Sequence, residues 1–459
     1  MNSVKEILLP GKAFAKHAIF LAMPVFLQNL ITFVLGMMDV ILLQGKGDVA
    51  VAAVSVANQA YFCINLLIFG ISSGSSVLMS QFRGAKDLAS MRKVVIIALL
   101  TTAVLLTPLV LFFTFCPDTV LKIMTSETEL VKAGTIYVRI VSPSFICSGI
   151  SYIYASLLRC NDRAKIPLFA SVTAILLNTT LNYILIYGKL GFPSLGIEGA
   201  AIATVISKVV EMLLILSFVY MGSDHVIKAN SKDLPGLSRA HFKKFFIISI
   251  PIIFSEFSWG LCSTAYSAIY GRMGTATVAA MSVANVIYQA FATLPNSIGY
   301  ISAIILGHLL GAEKFKEAKN RAHTLSVYSI LLGIIMGGVM VIFSPFFTGT
   351  MFGALSENVT SLAISFIIVF ACYLPLQTYL FTMISGILRS GGDTTFGAFL
   401  DLLPMLFIGI PAGIIFGIYL KLNPVLVVAL MYTDGIVKGI VGIFRVMTYK
   451  WVRKIDSAK

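Results

Sequence analysis

The chain has 459 residues, 58% of them hydrophobic and only 12% charged, against about 25% charged in soluble domains. A chain this apolar cannot cover itself with polar surface, which excludes a water-soluble globule. The formal charge of +14 is spread over short loops and not set on one face, which argues against a nucleic-acid partner.

Twelve apolar segments follow in chain order. They fall at 17–43, 49–80, 94–115, 130–158, 166–188, 196–221, 242–271, 276–309, 323–348, 358–388, 396–420 and 424–449. Each is long enough for the ~20 residues that a bilayer-spanning helix needs. Alternation with a period of two is absent, which argues against a β-barrel. Backbone groups in lipid must be bonded within the segment, which leaves the α-helix. Lys5, Lys12 and Lys16 precede a first run that is too long for a signal peptide and has no small-residue cleavage site, so it reads as the first membrane helix. The six cysteines show no CxxC pairing and read as small packing residues.

Basic residues sort by alternate loops. One set runs from Lys5, Lys12 and Lys16 through Arg83, Lys86, Arg92 and Lys93 to Arg159, Arg163 and Lys165. It continues with Lys228, Lys232, Arg239, Lys243 and Lys244, then Lys314, Lys316, Lys319, Arg321 and Arg389, and ends in the tail at Arg445, Lys450, Arg453, Lys454 and Lys459. The opposite loops hold only Lys46, Lys122, Lys189, Arg272 and Lys421. Cytoplasmic loops carry the excess of Lys and Arg, so both termini are expected in the cytoplasm and the helix number is even.

The chain also repeats itself. Residues 24–86 align with 251–313 at an offset of 227: Pro24 with Pro251, Gly47 with Gly274, Tyr61 with Tyr288, Gly84-Ala85 with Gly311-Ala312. Within that stretch, Val51 to Asn58 aligns with Val278 to Asn285. Leu158-Arg159 resembles Leu388-Arg389 at an offset of 230. The expected architecture is an all-α integral membrane protein of two six-helix bundles, related by a pseudo-two-fold axis along the membrane normal. The expected lobes are residues 1–221 and 242–459, joined by a cytoplasmic linker at 222–241.

Ionisable side chains inside membrane helices are costly, and they usually face a cavity or a partner. Glu211 has Lys208 three residues before it, and Asp434 has Lys438 four residues after it, so both acids read as neutralised on their own helices. Asp39, Glu256 and Asp401 have no basic residue within four positions. Each must face water, bind a cation, carry a proton or pair across helices, and Arg139 is the expected cross-helix partner. Asn178 and Asn182, at i and i+4 on the fifth segment, face the same way. Their carbonyls suit a small hard cation, or equally hydrogen bonds between helices. Glu256, Trp259 and Ser263 share a face of the seventh segment, where a carboxylate beside an indole suits an organic cation and a lone Trp suits an interfacial anchor.

Taken together, these features resemble the multidrug and toxic compound extrusion (MATE) family. They are Pro24 followed by Met38-Asp39, Asn178 and Asn182 before Tyr183 to Gly188, the run from Gly196 to Thr204, and Leu158-Arg159 with Leu388-Arg389. The resemblance covers nearly the whole chain. It implies efflux of small organic, often cationic, compounds in exchange for Na+ or H+ by two lobes that open alternately. It implies a coupling-cation site at Asp39, Asn178 and Thr204. Asn182 stands where several members have a second Asp, which removes one titratable group. Glu256, Trp259 and Asp401 are the candidates for a second acidic or substrate site. No catalytic residue and no cofactor other than a bound Na+ are expected, and the protein is expected to act as a monomer in the inner or plasma membrane. The alternative is a flippase for a lipid-linked precursor, although such proteins resemble ones with about fourteen helices and a basic cavity. A membrane enzyme is disfavoured by the absence of HExxH, GxSxG and paired intramembrane aspartates.

Overall fold

The computed structural model describes the backbone of residues 12–44, 48–125, 127–222, 228–229, 236–351 and 356–455. It describes their side chains except those of 12, 13, 34–41, 44, 48, 350 and 351. Every regular element among these residues is helical. The first half contains α1 (Lys12–Gln44), α2 (Asp48–Gly84), α3 (Leu88–Phe115), α4 (Pro117–Met124), α5 (Thr128–Val141), α6 (Ser144–Cys160), α7 (Lys165–Tyr187) and α8 (Ile197–Tyr220). The second contains α9 (Arg239–Met273), α10 (Thr275–Gly311), α11 (Phe315–Met351), α12 (Glu357–Phe381), α13 (Thr394–Pro404), α14 (Pro424–Met431) and α15 (Asp434–Met447).

Eleven described helices are long and apolar enough to cross a membrane, and α5 with α6, bent by 49° at their break, brings the number to twelve when the pair is taken as one span. The fourth expected segment is therefore broken. Pro143 has no N–H to continue the ladder, and the Ser144 hydroxyl instead caps the Val141 carbonyl at 2.7 Å. The short helix α4 was not expected. It opens on Pro117, whose fixed φ suits a first helical position. The tenth and eleventh spans continue as π-helix at Thr382–Leu388, Met405–Gly409 and Gly413–Tyr419.

The outward faces are as apolar as the interior. Val104, Phe115, Ile342, Phe407 and Phe444 are all exposed. Apolar surface on this scale matches a lipid solvent. Helical Ser and Thr return their hydroxyls to the carbonyl four residues back, as Ser75 does to Ile71 at 2.6 Å and Thr101 to Ile97 at 2.8 Å. No polar donor is then left unpaired at these buried positions.

The described residues form two compact units. The first comprises 27–83 and 87–253, and the second comprises 12–26, 84–86 and 254–455. Both main divisions fall just after the matched prolines Pro24 and Pro251, again 227 residues apart. Most of the expected linker at 222–241 lies outside the described residues. The first unit packs around Leu43, Ile64, Leu106, Val138, Phe145 and Ile186. Its helices meet at glycines: a Cβ on Gly74 would stand 2.9 Å from the Ser249 Cα. The second unit has one core around Met281, Phe366, Phe370 and Met431 and another around Leu306, Ile387 and Trp451.

The C-terminal segment is fastened to the second unit by its polar groups. Arg453 donates to the carbonyls of Gly391 and Gly392 at 2.8 and 2.6 Å, and Arg445 forks onto Asp393 at 2.8 and 3.0 Å. Lys454 donates to Glu313 at 2.6 Å and holds that carboxyl below its usual range. This last contact is complete above the ordinary carboxylate pKa and loosens as pH falls through the lowered value. A Cβ on Gly391 would lie 1.6 Å from the Trp451 carbonyl oxygen. Gly391→Ala must therefore push the buried Trp451 segment away. It is expected to cost about 1–3 kcal/mol, read as a lowered unfolding temperature in detergent.

Candidate functional site

In the first unit, α7 and α8 run backbone to backbone. A Cβ on Gly199 would stand 2.8 Å from the Leu185 carbonyl, and Leu195 N–H donates to that carbonyl at 2.9 Å. This packing brings the glycine-rich start of α8 against the end of α7 that carries the two asparagines. Asn182, 1% exposed, donates from Nδ2 to Asn178 Oδ1 at 3.1 Å. The i, i+4 spacing therefore does place both amides on one face. Thr204 is half-buried and gives its hydroxyl proton to Ala200 O at 2.9 Å, which leaves the oxygen lone pairs as acceptors. Asp39 falls on α1, within 34–41, where the side chains lie outside the described residues. Three residues further along, the Leu42 carbonyl accepts from Tyr187 Oη at 2.7 Å, which ties that end of α1 to the end of α7.

Deeper in the same unit, a polar chain crosses three helices. Gln28 on α1 donates to Ser171 on α7 at 2.8 Å. Ser171 donates to Glu211 on α8 at 2.6 Å, and Lys208 pairs with Glu211 at 3.0 Å. The expected pairing within α8 is present, but it is part of a longer network.

The second unit holds a larger set of buried charges. Glu256 on α9 pairs with Arg389 at 2.8 Å, and the two side chains are 15% and 4% exposed. Beside it, Ser255 donates to Asp401 on α13 at 3.2 Å. Lys438 on α15 reaches Asp401 at 3.2 Å and Asp434, on its own helix, at 3.4 Å. Two sequence expectations are thereby revised. Arg139 is exposed, and the cross-helix partners of Glu256 and Asp401 are Arg389 and Lys438. Arg389 was counted with the loop cations, yet it closes the tenth span as a buried group. Trp259 is exposed on α9 and Ser263 is half-buried, while the Glu256 carboxylate on that face already holds a guanidinium.

Arg389 and Ser255 are thus the embedded groups that sequence reasoning left aside, while the expected Lys438–Asp434 pair is present but also reaches Asp401. A spacing signal existed for that longer network, since Lys208 and Lys438 lie 230 residues apart, the same offset that relates Leu158-Arg159 to Leu388-Arg389.

Two helical units built on an internal repeat, with ionisable side chains buried inside membrane-spanning helices, define a multi-pass membrane protein with a duplicated helical framework. The MatE family profile matches the chain twice, at residues 24–184 and 251–415, and its two starts carry the offset of the repeat. The chain belongs to the MatE family of membrane transporters. It is 23% identical over 436 residues to the uncharacterized transporter YisQ of Bacillus subtilis, covering 95% of this chain and 94% of that one. It is 24% identical over 445 residues to the probable multidrug resistance protein YoeA of the same organism, covering 94% and 93%. Among solved structures, an outward-facing MATE transporter of the MOP superfamily superposes with a TM-score of 0.85 at 20% identity, covering 97% and 98% of the two chains. A MOP superfamily transporter from Pyrococcus furiosus, described as having a binding pocket of reversed polarity, gives 0.85 at 21% identity, covering 98% and 99%.

Proposed function

We propose that this protein exports small organic, often cationic, compounds in exchange for Na+ or H+, by alternating exposure of a central site. Two lobes, 1–221 and 242–459, joined through 222–241, move against each other in a monomer of the cell membrane with both termini cytoplasmic. The observation that carries the reading is the repeated, family-matched pair of helical halves with a carboxylate, two amides and a hydroxyl on the first, fifth and sixth spans. Asp39 is the coupling group, and Asn178, Asn182 and Thr204 supply further oxygen donors to a cation held there. These are hard oxygen ligands of the kind that a small cation prefers. Glu256, Trp259 and Asp401 form the second acidic or substrate region. Export of drugs is also in keeping with YoeA and several NorM relatives, which are described as probable multidrug resistance proteins.

Coupling requires the ion and the substrate to favour different conformations, since a ligand that binds both states equally shifts nothing. The test is transport of ethidium in proteoliposomes under an imposed Na+ gradient and, separately, a pH gradient. Acceleration by one of them is expected and names the ion. Indifference to both would overturn the antiport reading and favour a flippase for a lipid-linked precursor.

A further inference from the structure

The two polar networks occupy matching places in the repeat. Gln28 and Ser255 are 227 residues apart, and Ser171 and Asp401 are 230 apart. Lys208 and Lys438 are also 230 apart, as are Thr204 and Asp434. In each unit the first-span residue donates to the fifth-span residue, at 2.8 Å for Gln28 to Ser171 and 3.2 Å for Ser255 to Asp401. In each unit the sixth-span lysine pairs with an acid on its own helix, Glu211 or Asp434. The charge differs. The first unit sets one lysine against one acid. The second sets Lys438 between two carboxylates, because Ser171 and Thr204 are replaced at the matching places by Asp401 and Asp434.

One ammonium cannot neutralise two carboxylates. Lys438 and Asp434 are 7% and 5% exposed and Asp401 is 22% exposed, so water screens the surplus charge less than it would at the protein surface. Among the described residues, the surrounding groups do not supply the missing cation. Arg389 is engaged by Glu256. Cys262, Tyr266, Tyr270, Tyr373 and Tyr432, which lie within electrostatic reach of Asp434, are a thiol and phenols that stay uncharged near neutral pH. The Tyr266 hydroxyl is buried in this setting with no hydrogen-bond partner among the described residues. A metal cation would meet the Lys438 ammonium at the centre of the group, whereas a proton adds charge directly to a carboxylate oxygen.

Resting on the antiport reading above, we infer that the Asp401–Lys438–Asp434 network takes up and releases one proton in the transport cycle. When protonated, the network has the same net charge as its first-unit counterpart. When deprotonated, it carries an uncompensated negative charge. Uptake and release therefore change how firmly the eleventh span, through Asp401, is held to the twelfth.

The test uses two variants that give the second unit the residues of the first: Asp434→Thr and Asp401→Ser. Purified wild type and variants are checked by thermal unfolding and reconstituted with pyranine to follow protons and ethidium to follow substrate. In each variant that unfolds cooperatively, the protons exchanged per ethidium are expected to fall by about one, and the pH profile of transport to flatten. An unchanged ratio and profile would overturn the inference and identify the network as a structural tie alone. Wild-type transport driven by Na+ with no proton movement overturns it while the antiport reading stands. Wild type indifferent to both gradients overturns both.

Discussion

Arg389→Met is expected to be the most damaging single change to stability in the second unit. The guanidinium is 4% exposed and lies 2.8 Å from a Glu256 carboxylate that is itself 15% exposed. Methionine fills similar volume but leaves the carboxylate buried without its cation. Removing one partner of a buried pair costs about 3–5 kcal/mol, because the remaining charge is desolvated and uncompensated. Thermal unfolding in detergent measures the loss. The double variant Glu256→Gln with Arg389→Met removes the orphaned charge and is expected to recover most of it. An Arg389→Met protein as stable as wild type would show that Glu256 finds water or another cation instead.

Asp39→Asn is expected to abolish gradient-driven transport while leaving the protein folded and inserted. Asparagine keeps the shape and one acceptor oxygen but can neither lose a proton nor neutralise a bound cation. If Asp39 supplies the difference in ion affinity between the two conformations, its removal takes away a coupling that typically amounts to roughly 5–150-fold in affinity. Ethidium uptake against its gradient, normalised to the amount of inserted protein, reads the effect. Full activity in Asp39→Asn would remove this residue from the coupling role.

Much of the fold could be read from the sequence because a lipid environment imposes one strong rule: an apolar run of sufficient length is a helix that spans. All twelve expected segments overlay observed helices, Ile197–Tyr220 on 196–221 and Thr275–Gly311 on 276–309 among them. Hydropathy is silent about local geometry inside a run. It therefore missed the break at Ser142-Pro143, although the proline itself was a signal, and the π-helical turns of the eleventh span. The polar site was legible where the information is local. The Asn178–Asn182 contact and the Lys208–Glu211 pair both follow from helical periodicity. The contacts Glu256–Arg389, Asp401–Lys438 and Gln28–Ser171 join residues 133, 37 and 143 positions apart. Periodicity reports which residues share a face of one helix, and says nothing of which helix stands opposite. Arg389 was the hardest to place, since a cation at the end of an apolar run looks like any loop cation until its carboxylate is found.

The division of the chain just after Pro24 and Pro251 bears on how the protein is made. Neither unit is encoded as a continuous stretch: the first is complete only when Ile253 has been synthesised, and residues 12–26 belong with helices translated much later. The amino-terminal turns must therefore wait at the membrane through most of translation before their own unit exists. Polypeptides severed within 222–241 would each lack a piece that the other carries, so either alone should be degraded, while co-expression of the two should restore a stable complex.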